Sequence, residues 1–130
     1  MDLNADMGEN PSVGVTVLIV DDHPSFRASA RRMLEADGYE VVGEAEDAGA
    51  ALAAAQWLQP ELVLLDVRLP DTDGFEVARR LLDADGHVPK IVLISSHDSS
   101  DLGEAIGTSG ARGFIPKSEL SAEAIASLIR

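Results

Sequence analysis

An unbroken run of apolar residues in the middle of the chain constrains the fold most. The run Leu62–Leu65 contains no polar residue and ends on one carboxylate, Asp66. A strand with one face in water would alternate apolar and polar residues. This run therefore indicates a strand buried on both faces, as in the centre of a parallel sheet. Pro70 and Gly74 mark the next loop, and apolar residues then recur at helical spacing from Phe75.

Strand-length and helical patterns alternate along the rest of the chain. Four more strands are predicted, at residues 15–20, 39–45, 90–95 and 112–115. Helices are predicted after each of the five strands, beginning near Pro24, Ala48, Phe75, Asp101 and either Ser118 or Ser121. We expect the first three helices to end at Asp37-Gly38, at Leu58 before Pro60, and at Asp85-Gly86. Strict alternation with short connections predicts an α/β fold, a doubly wound parallel sheet with helices on both faces.

Two of these elements carry further expectations. The strand at 39–45 alternates only loosely between apolar and polar residues, which predicts a position near a sheet edge. Gly103 and Gly107 weaken the fourth helix, because each glycine costs about 1 kcal/mol relative to alanine in a helix interior. We therefore expect the segment from Asp101 to Ser109 to be the least ordered helix.

Composition limits the class of protein. The formal charge of −13 over 130 residues argues against contact of this segment with nucleic acid or an anionic membrane. The absence of cysteine excludes disulfides and thiol chemistry, and no apolar run reaches the length of a bilayer span. Residues 1–14 lack the pattern of a signal peptide and are predicted to be a flexible leader before a folded domain at 15–130. These features predict a cytoplasmic location.

Polar side chains stand where four of the predicted strands end. They are Asp21 and Asp22 after the first strand, Asp66 after the third, Ser95 and Ser96 at the fourth, and Lys117 after the fifth. The carboxyl ends of parallel strands form the ligand-binding edge of a doubly wound sheet. Carboxylates gathered there would raise one another's pKa unless a cation intervened. Oxygen ligands of this kind suit Mg²⁺, or another divalent cation such as Mn²⁺ or Ca²⁺ in its place.

The same residues could support phosphoryl transfer. Beside a metal ion, Asp66 would stay ionised and could attack phosphorus, with Ser95 and Lys117 meeting the phosphoryl oxygens. Taken singly, each has an ordinary structural explanation: acids before helices cap them, and a serine or lysine in a loop is commonly solvated. The joint pattern at the ends of four strands favours a functional site.

Four segments resemble the receiver domain of two-component response regulators: VLIVDDHPSFR, LLDVRLPDTDG, IVLISS and GFIPKSEL. The resemblance covers residues 15 to 130 and implies a flavodoxin-like (βα)5 fold with strand order 2-1-3-4-5. It implies that a sensor histidine kinase or phosphotransfer protein donates a phosphoryl group. The segments are most similar to receivers that precede a LuxR-type helix-turn-helix output domain, which implies control of transcription, with homodimerisation as one form of readout. The chain ends within its last predicted helix, which suggests an excised receiver or a single-domain regulator.

The resemblance also implies a role for individual residues. Asp66 would be the phospho-acceptor, and the metal would be bound by Asp66, by Asp22 directly, by Asp21 through water and by the backbone carbonyl of Arg68. The switch residues would be Ser95, Phe114 and Lys117, which would alter the surface of the fourth helix, fifth strand and fifth helix. Arg68 and His97 flank the expected approach of water and would tune dephosphorylation. A receiver catalyses only its own phosphorylation and dephosphorylation, so no other enzymatic activity is expected.

Several positions depart from the commonest family pattern. They are Ser96, Asp71, Pro116 before the lysine, and Phe114 in place of tyrosine. A phenylalanine could switch by packing alone, or could be a plain core aromatic. Because Ser118 rather than proline follows Lys117, a cis peptide there would cost about 3 kcal/mol.

Two alternatives remain open. A Mg²⁺-dependent phosphohydrolase with an aspartyl nucleophile usually carries a second acid two residues later, where this chain has Arg68. A degenerate receiver would act as an interaction module without phosphorylation, and the complete set of acids, hydroxyl and lysine argues against it.

Overall fold

The computed structural model describes residues 13–96 and 102–130, which form five strands and five α-helices. The strands are β1 (Thr16–Val20), β2 (Glu40–Ala45), β3 (Leu62–Asp66), β4 (Lys90–Ser95) and β5 (Gly113–Pro116). The helices are α1 (Pro24–Ala36), α2 (Ala48–Leu58), α3 (Gly74–Leu82), α4 (Gly103–Thr108) and α5 (Ala122–Ile129). A 3₁₀ turn at Lys117–Glu119 joins β5 to α5.

The strands form one parallel sheet in the order β2-β1-β3-β4-β5. This confirms the flavodoxin-like, doubly wound fold, with β3 at the centre and β2 at an edge as predicted. In register, Asp66 lies beside Ile94 and Ser95 beside Pro116. The ends of β3, β4 and β5 are thus neighbours at one edge of the sheet.

The first four residues of the central strand are apolar because the core has two halves. Leu62 and Leu64 pack with residues of α1 and α5 on one face of the sheet. Val63 and Leu65 pack with residues of α2 and α3 on the other face. All four side chains are fully buried. Alternate residues of β3 therefore enter separate apolar layers, and neither face can accept a polar side chain without losing that burial.

Side-chain caps set where several helices begin. The carboxylate of Asp47 accepts from the Ala50 amide at 2.8 Å, which confirms the predicted start of α2. Ser121 caps α5 through the Ala124 amide at 3.0 Å, so of the two serines considered it is Ser121 that begins this helix. Ser118 lies in the 3₁₀ turn.

Several predicted boundaries differ from the structure, and β1 and β2 each begin one residue later than predicted. Helix α3 ends at Leu82, before the predicted stop at Asp85-Gly86, because Asp83 already occupies its C-cap. Helix α4 is shorter than the predicted segment from Asp101 to Ser109, and β5 begins and ends one residue later than predicted. Asp101 lies outside the described residues.

The amino-terminal part of the domain is tied to the end of α1. The Gly14 amide donates to the Gly38 carbonyl at 3.0 Å, and Gly38 has a φ of 96°, as a glycine after a helix commonly does. Residues 1–12 of the predicted leader lie outside the described residues. Among the described helices, none has both the length and the apolarity needed to span a membrane. No described peptide bond is cis.

Gly74, the first residue of α3, allows the helix to touch the end of β3. Its amide donates to the Val67 carbonyl at 2.6 Å. A Cβ atom at this position would lie 2.3 Å from the backbone oxygen of Asp66. Backbone atoms on both sides cannot rotate away as a side chain can, so the position requires glycine.

We predict opposite effects of alanine at two glycines of the chain. Gly74→Ala should destabilise the domain by about 2 kcal/mol, because the new methyl group forces the backbone of β3 and α3 apart. Gly107→Ala should stabilise it by up to about 1 kcal/mol, because nothing lies within 4 Å of a Cβ there and alanine favours a helix. Urea unfolding of both variants measures the difference. Equal stability of Gly74→Ala and wild type would contradict the close contact.

Candidate functional site

The acidic residues predicted to form the site meet at the carboxyl edge of the sheet. Asp21 follows β1 and is fully buried, and Asp66 ends β3 with 3% of its surface exposed. Asp22 is exposed. Single ligand atoms of these three carboxylates and of His23 all lie within 4.8 Å of one another. The two strands therefore deliver three acids to one point, as the sequence predicted.

Lys117 lies between the two buried carboxylates. Its Nζ atom is 2.5 Å from Asp21 Oδ2 and 3.2 Å from Asp66 Oδ2. The side chain is 13% exposed, and Nζ stands 4.6 Å from the centroid of the Phe26 ring. This aromatic contact shields the ammonium on one side while the carboxylates compensate its charge on the other. Lys117 is thus part of the site rather than a solvated surface charge.

Main-chain groups hold the two buried carboxylates in place. The Oδ1 atom of Asp21 accepts from the His23 amide at 2.8 Å and contacts His23 Nδ1 at 2.9 Å. The Oδ1 atom of Asp66 accepts from the Arg68 amide at 3.1 Å. Each carboxylate therefore presents its other oxygen, Oδ2, to Lys117.

The two buried acids respond differently to their surroundings. Burial, together with the neighbouring Asp21, raises the pKa of Asp66 from 3.8 to about 6, against the effects of the Arg68 amide and Lys117. Burial would also raise the pKa of Asp21, but hydrogen bonds from Lys117 and His23 outweigh it and hold that pKa below its usual value. Burial lowers the pKa of Lys117, and the two carboxylates more than reverse this. Asp66 is consequently the acid that would gain most from an additional cation.

The donor set fits a hard divalent ion. Three carboxylates lie together and the Lys117 ammonium contacts two of them, which leaves an excess of negative charge at the edge. Carboxylate oxygens with space for water are the ligands that Mg²⁺ takes in proteins. Asp21, Asp22 and Asp66 can supply them, because Asp22 opens toward solvent while the other two lie behind it. The His23 imidazole lies against the carboxylates, 3.1 Å from Asp22 Oδ1.

The remaining predicted residues fall into different positions. Ser95 is buried at the end of β4, beside the strand that leads to Lys117. Phe114 is half-buried and packs on the face of the sheet that carries α4. The amide of Arg68, rather than its carbonyl, is seen in contact with Asp66, and its side chain is exposed. His97 lies outside the described residues.

Several contacts around the site were not predicted. His23 follows the two acids directly, so its position beside them is visible in the sequence. Phe26 packs against the apolar core, and nothing in the sequence places its ring beside Lys117. Arg27 donates from Nη1 to the Asp21 carbonyl at 2.6 Å. Asp71, a departure from the family pattern, accepts from the Ala48 and Gly49 amides at 2.9 and 3.1 Å and so caps α2 from the loop after β3. The contacts of Asp71 and Phe26 join segments distant in sequence, which spacing does not reveal.

A cavity of about 430 Å³ lies at the opposite edge of the sheet. Its lining includes Val15, Leu62 and Lys90, at or next to the amino ends of three strands, and it does not include the three aspartates of the acidic site or Lys117. The acidic site is therefore separate from this cavity. It is open to solvent at Asp22.

Comparison with known proteins shows which family the chain is similar to. The family model of the response regulator receiver domain matches residues 17–130. Among curated relatives, the response regulator GacA of Pseudomonas viridiflava is 34% identical, over 85% of this chain and 52% of its own length. The transcriptional regulatory protein PdtaR of Mycobacterium tuberculosis is 35% identical, over 78% of this chain and 48% of its own. The chain spans about half the length of these relatives.

A solved structure gives the same result. The two-component response regulator of the LuxR family from Aurantimonas sp. SI85-9A1 superposes with a TM-score of 0.79 and 34% sequence identity. The match covers 88% of this chain and 82% of that one.

We predict that Asp66→Asn flattens the pH dependence of stability when metal ions are chelated. Because folding raises the pKa of Asp66 from 3.8 to about 6, the folded chain binds more protons than the unfolded chain between these values. Stability is then lost as the pH rises from about 4 to about 6. Asparagine removes this titration, so the variant should gain up to about 3 kcal/mol on wild type between pH 4 and 7.

Urea unfolding at several pH values measures the effect, with Asp71→Ala as the control. The Ala48 and Gly49 amides lower the pKa of Asp71, so its stabilising effect is complete above about pH 4 and is lost only in stronger acid. The deficit of Asp71→Ala should therefore stay constant from pH 5 to 7. An unchanged pH profile in Asp66→Asn would contradict the burial of an ionised carboxylate at this position.

Proposed function

Because the chain belongs to the response regulator receiver domain family, we propose that Asp66 accepts a phosphoryl group from a sensor histidine kinase or a phosphotransfer protein. One observation carries the proposal. The Asp66 carboxylate lies at the carboxyl edge of the sheet, 3.2 Å from Lys117 Nζ and within the cluster of Asp21, Asp22 and His23. The nucleophile, the acidic groups and the compensating ammonium are present together.

The transfer forms one bond and breaks one. A carboxylate oxygen of Asp66 attacks phosphorus, and the bond between phosphorus and the imidazole nitrogen of the donor phosphohistidine breaks. The leaving imidazole keeps the electron pair. Asp66 enters the reaction ionised, and so no proton has to be removed from the nucleophile. Water later attacks the acyl phosphate and restores the carboxylate, and Arg68 and His97 are proposed to tune that step.

The chain's own charges would stabilise the transferred group. We assign Lys117 to the phosphoryl oxygens, because its ammonium already lies against the two carboxylates and needs only a short movement. Ser95, at the neighbouring strand end, would meet another phosphoryl oxygen. A divalent ion held by Asp21, Asp22, Asp66 and the Arg68 carbonyl would neutralise part of the negative charge that builds up on the phosphoryl group.

The readout would pass through β5, which ends beside Ser95 and leads directly into Lys117. Phe114 of β5 packs against the same apolar cluster as Leu102 and Ile106, which anchor α4. Helix α4 has no buried residue and no side-chain cap at its start. We propose that the surface of α4, β5 and α5 changes when Ser95 and Lys117 move toward the phosphoryl group.

The output of the whole protein is proposed to be control of transcription. The relatives that this chain half covers include a transcriptional regulatory protein, and a similar structure belongs to a LuxR-family regulator. The charge of −13 disfavours DNA contact by this segment itself. We therefore propose that residues 15–130 act as the receiver unit of a cytoplasmic regulator, through the altered surface or through dimerisation.

Two alternatives differ in what they would do with phosphate. A phosphohydrolase of the aspartyl type would release phosphate from a small ester repeatedly. Position 68 disfavours the phosphohydrolase, because the second acid of such enzymes would stand there and this chain has Arg68, whose amide binds Asp66. A phosphate-independent interaction module would take up no phosphoryl group at all.

We predict that the chain gains one phosphoryl group when incubated with acetyl phosphate and Mg²⁺, and that Asp66→Asn does not. Intact-protein mass measures the gain. Asp73→Asn is the matched control, because Asp73 caps α3 nearby and takes no part in the site. Lys117→Gln should fold and take up phosphate more slowly, since it lacks the ammonium. Sustained phosphate release from an ester would instead support the hydrolase, and no mass gain in wild type would support the interaction module.

We also predict that α4 exchanges its amide hydrogens faster than α1 in the unphosphorylated chain. No residue of α4 is buried, whereas Ala30 and Leu34 anchor α1 in the core. Hydrogen exchange followed at residues 105–108 and 28–36 tests this within the described part of the predicted segment. Protection in α4 equal to that in α1 would exclude α4 as the mobile element.

A further inference from the structure

We propose that Arg27, oriented by Glu44, is a positioning residue that sets the affinity of the acidic site for a divalent ion. It would do so by fixing the peptide group between Asp21 and Asp22. The inference rests on the function proposed above, since it concerns the same metal-binding acids, and it assigns them two supporting residues from α1 and β2.

The main chain of Asp21 is held from both sides by the end of β2. Its amide donates to the Ala45 carbonyl at 3.0 Å, which continues the pairing of β1 with β2. Its carbonyl accepts from Arg27 Nη1 at 2.6 Å. The Nε atom of Arg27 donates to Glu44 Oε1 at 2.9 Å. Two consecutive residues of one strand, Glu44 and Ala45, thus hold Asp21, one of them through Arg27.

The guanidinium is well suited to this link. Its donors have a fixed relative geometry, so binding Glu44 with one nitrogen aims another at the Asp21 carbonyl. The side chains of Arg27 and Glu44 are only 15% and 29% exposed, which limits competition from water. The other oxygen of Glu44, Oε2, accepts from Arg31 Nε at 2.7 Å. Glu44 is therefore held between two arginines, of which only Arg27 is seen to contact Asp21.

The orientation matters for Asp22 in particular. The carbonyl of Asp21 and the nitrogen of Asp22 belong to one planar peptide group, so fixing the oxygen also fixes the start of Asp22. Asp22 is an exposed acid whose own side chain is constrained only by His23 among the contacts seen here. Without Arg27, the peptide could rotate and carry the Asp22 carboxylate away from Asp21 and Asp66.

The sign of the effect separates positioning from simple electrostatics. Arg27 carries a positive charge, so its removal should strengthen cation binding if charge alone mattered. If Arg27 acts by positioning, its removal should weaken binding. Groups that orient metal ligands from outside commonly change affinity by about 10-fold to 100-fold. We expect about tenfold weaker Mg²⁺ binding in Arg27→Met. This is the lower end of that range, because Arg27 binds the backbone carbonyl of Asp21 and not a carboxylate that would bind the metal.

The experiment is a calorimetric titration of Mg²⁺ into the wild-type chain and three variants, without a phosphoryl donor. Arg27→Met removes the link, and Arg27→Lys keeps the charge but cannot hold both partners in the same geometry. Both should bind Mg²⁺ more weakly than wild type. Arg31→Met is the matched control, because it removes the same charge from the same glutamate without touching Asp21. It should bind Mg²⁺ as tightly as wild type, or slightly more tightly.

Two further measurements separate local from global effects. Urea unfolding shows whether each variant is folded, and the amide resonances of Asp22 and His23 should shift in both Arg27 variants but not in Arg31→Met. If Arg27→Met does not fold, Arg27→Lys carries the test. Wild-type affinity in the folded Arg27 variants, or tighter binding, overturns the inference. That result leaves the proposed function intact, provided that the wild-type chain binds Mg²⁺ and takes up a phosphoryl group. A wild-type chain with no affinity for Mg²⁺ would overturn both the proposed function and this inference.

Discussion

The repulsion among three carboxylates at one edge of the sheet governs the rest of the site. Two of them, Asp21 and Asp66, are buried, and the chain as a whole carries a charge of −13. Lys117 compensates part of their charge, with its Nζ atom 2.5 and 3.2 Å from their Oδ2 oxygens. Because it binds the acids from the side of β5, any cation that joins them changes the electrostatic partner of Lys117 as well. The proposed cation binding and phosphoryl uptake would therefore both act on the position of β5 through the Lys117 side chain.

Much of the fold followed from local pattern. The unbroken run Leu62–Leu65 predicted a central strand, and the structure explains it by apolar layers on both faces of the sheet. Once the alternation of strands and helices was recognised, parallel pairing required Asp66, Ser95 and Lys117 to meet at one edge. The order of the strands could not be predicted from local pattern, and only the family resemblance supplied it. The predicted and observed ends of α3 and β5 differ, and the end of α3 depends on the C-cap at Asp83, which composition does not fix.

The unpredicted part of the site consists of long-range contacts of ordinary residues. Phe26 belongs to an apolar helix face, yet the Lys117 ammonium stands 4.6 Å from its ring centroid. Arg27 and Glu44 are typical surface charges by sequence, and only the packing of α1 beside β2 brings them to the Asp21 carbonyl. By sequence Asp71 is an acid in a loop, and only the fold places it at the start of α2, where it accepts from the Ala48 amide. In each case the partner lies on another element, so no spacing along the chain encodes the pair.

The tight start of α3 gives the site a direction. The Gly74 amide is hydrogen-bonded to the Val67 carbonyl, and a methyl group at position 74 would overlap the backbone oxygen of Asp66. The main chain at Asp66 therefore has little room to move toward α3. The Asp66 carboxylate itself faces away from this contact, with its Oδ2 atom 3.2 Å from Lys117 Nζ. The first turn of α3 therefore restrains the backbone of Asp66, and we expect a chemical change at its carboxylate to move neighbouring side chains more readily than this backbone.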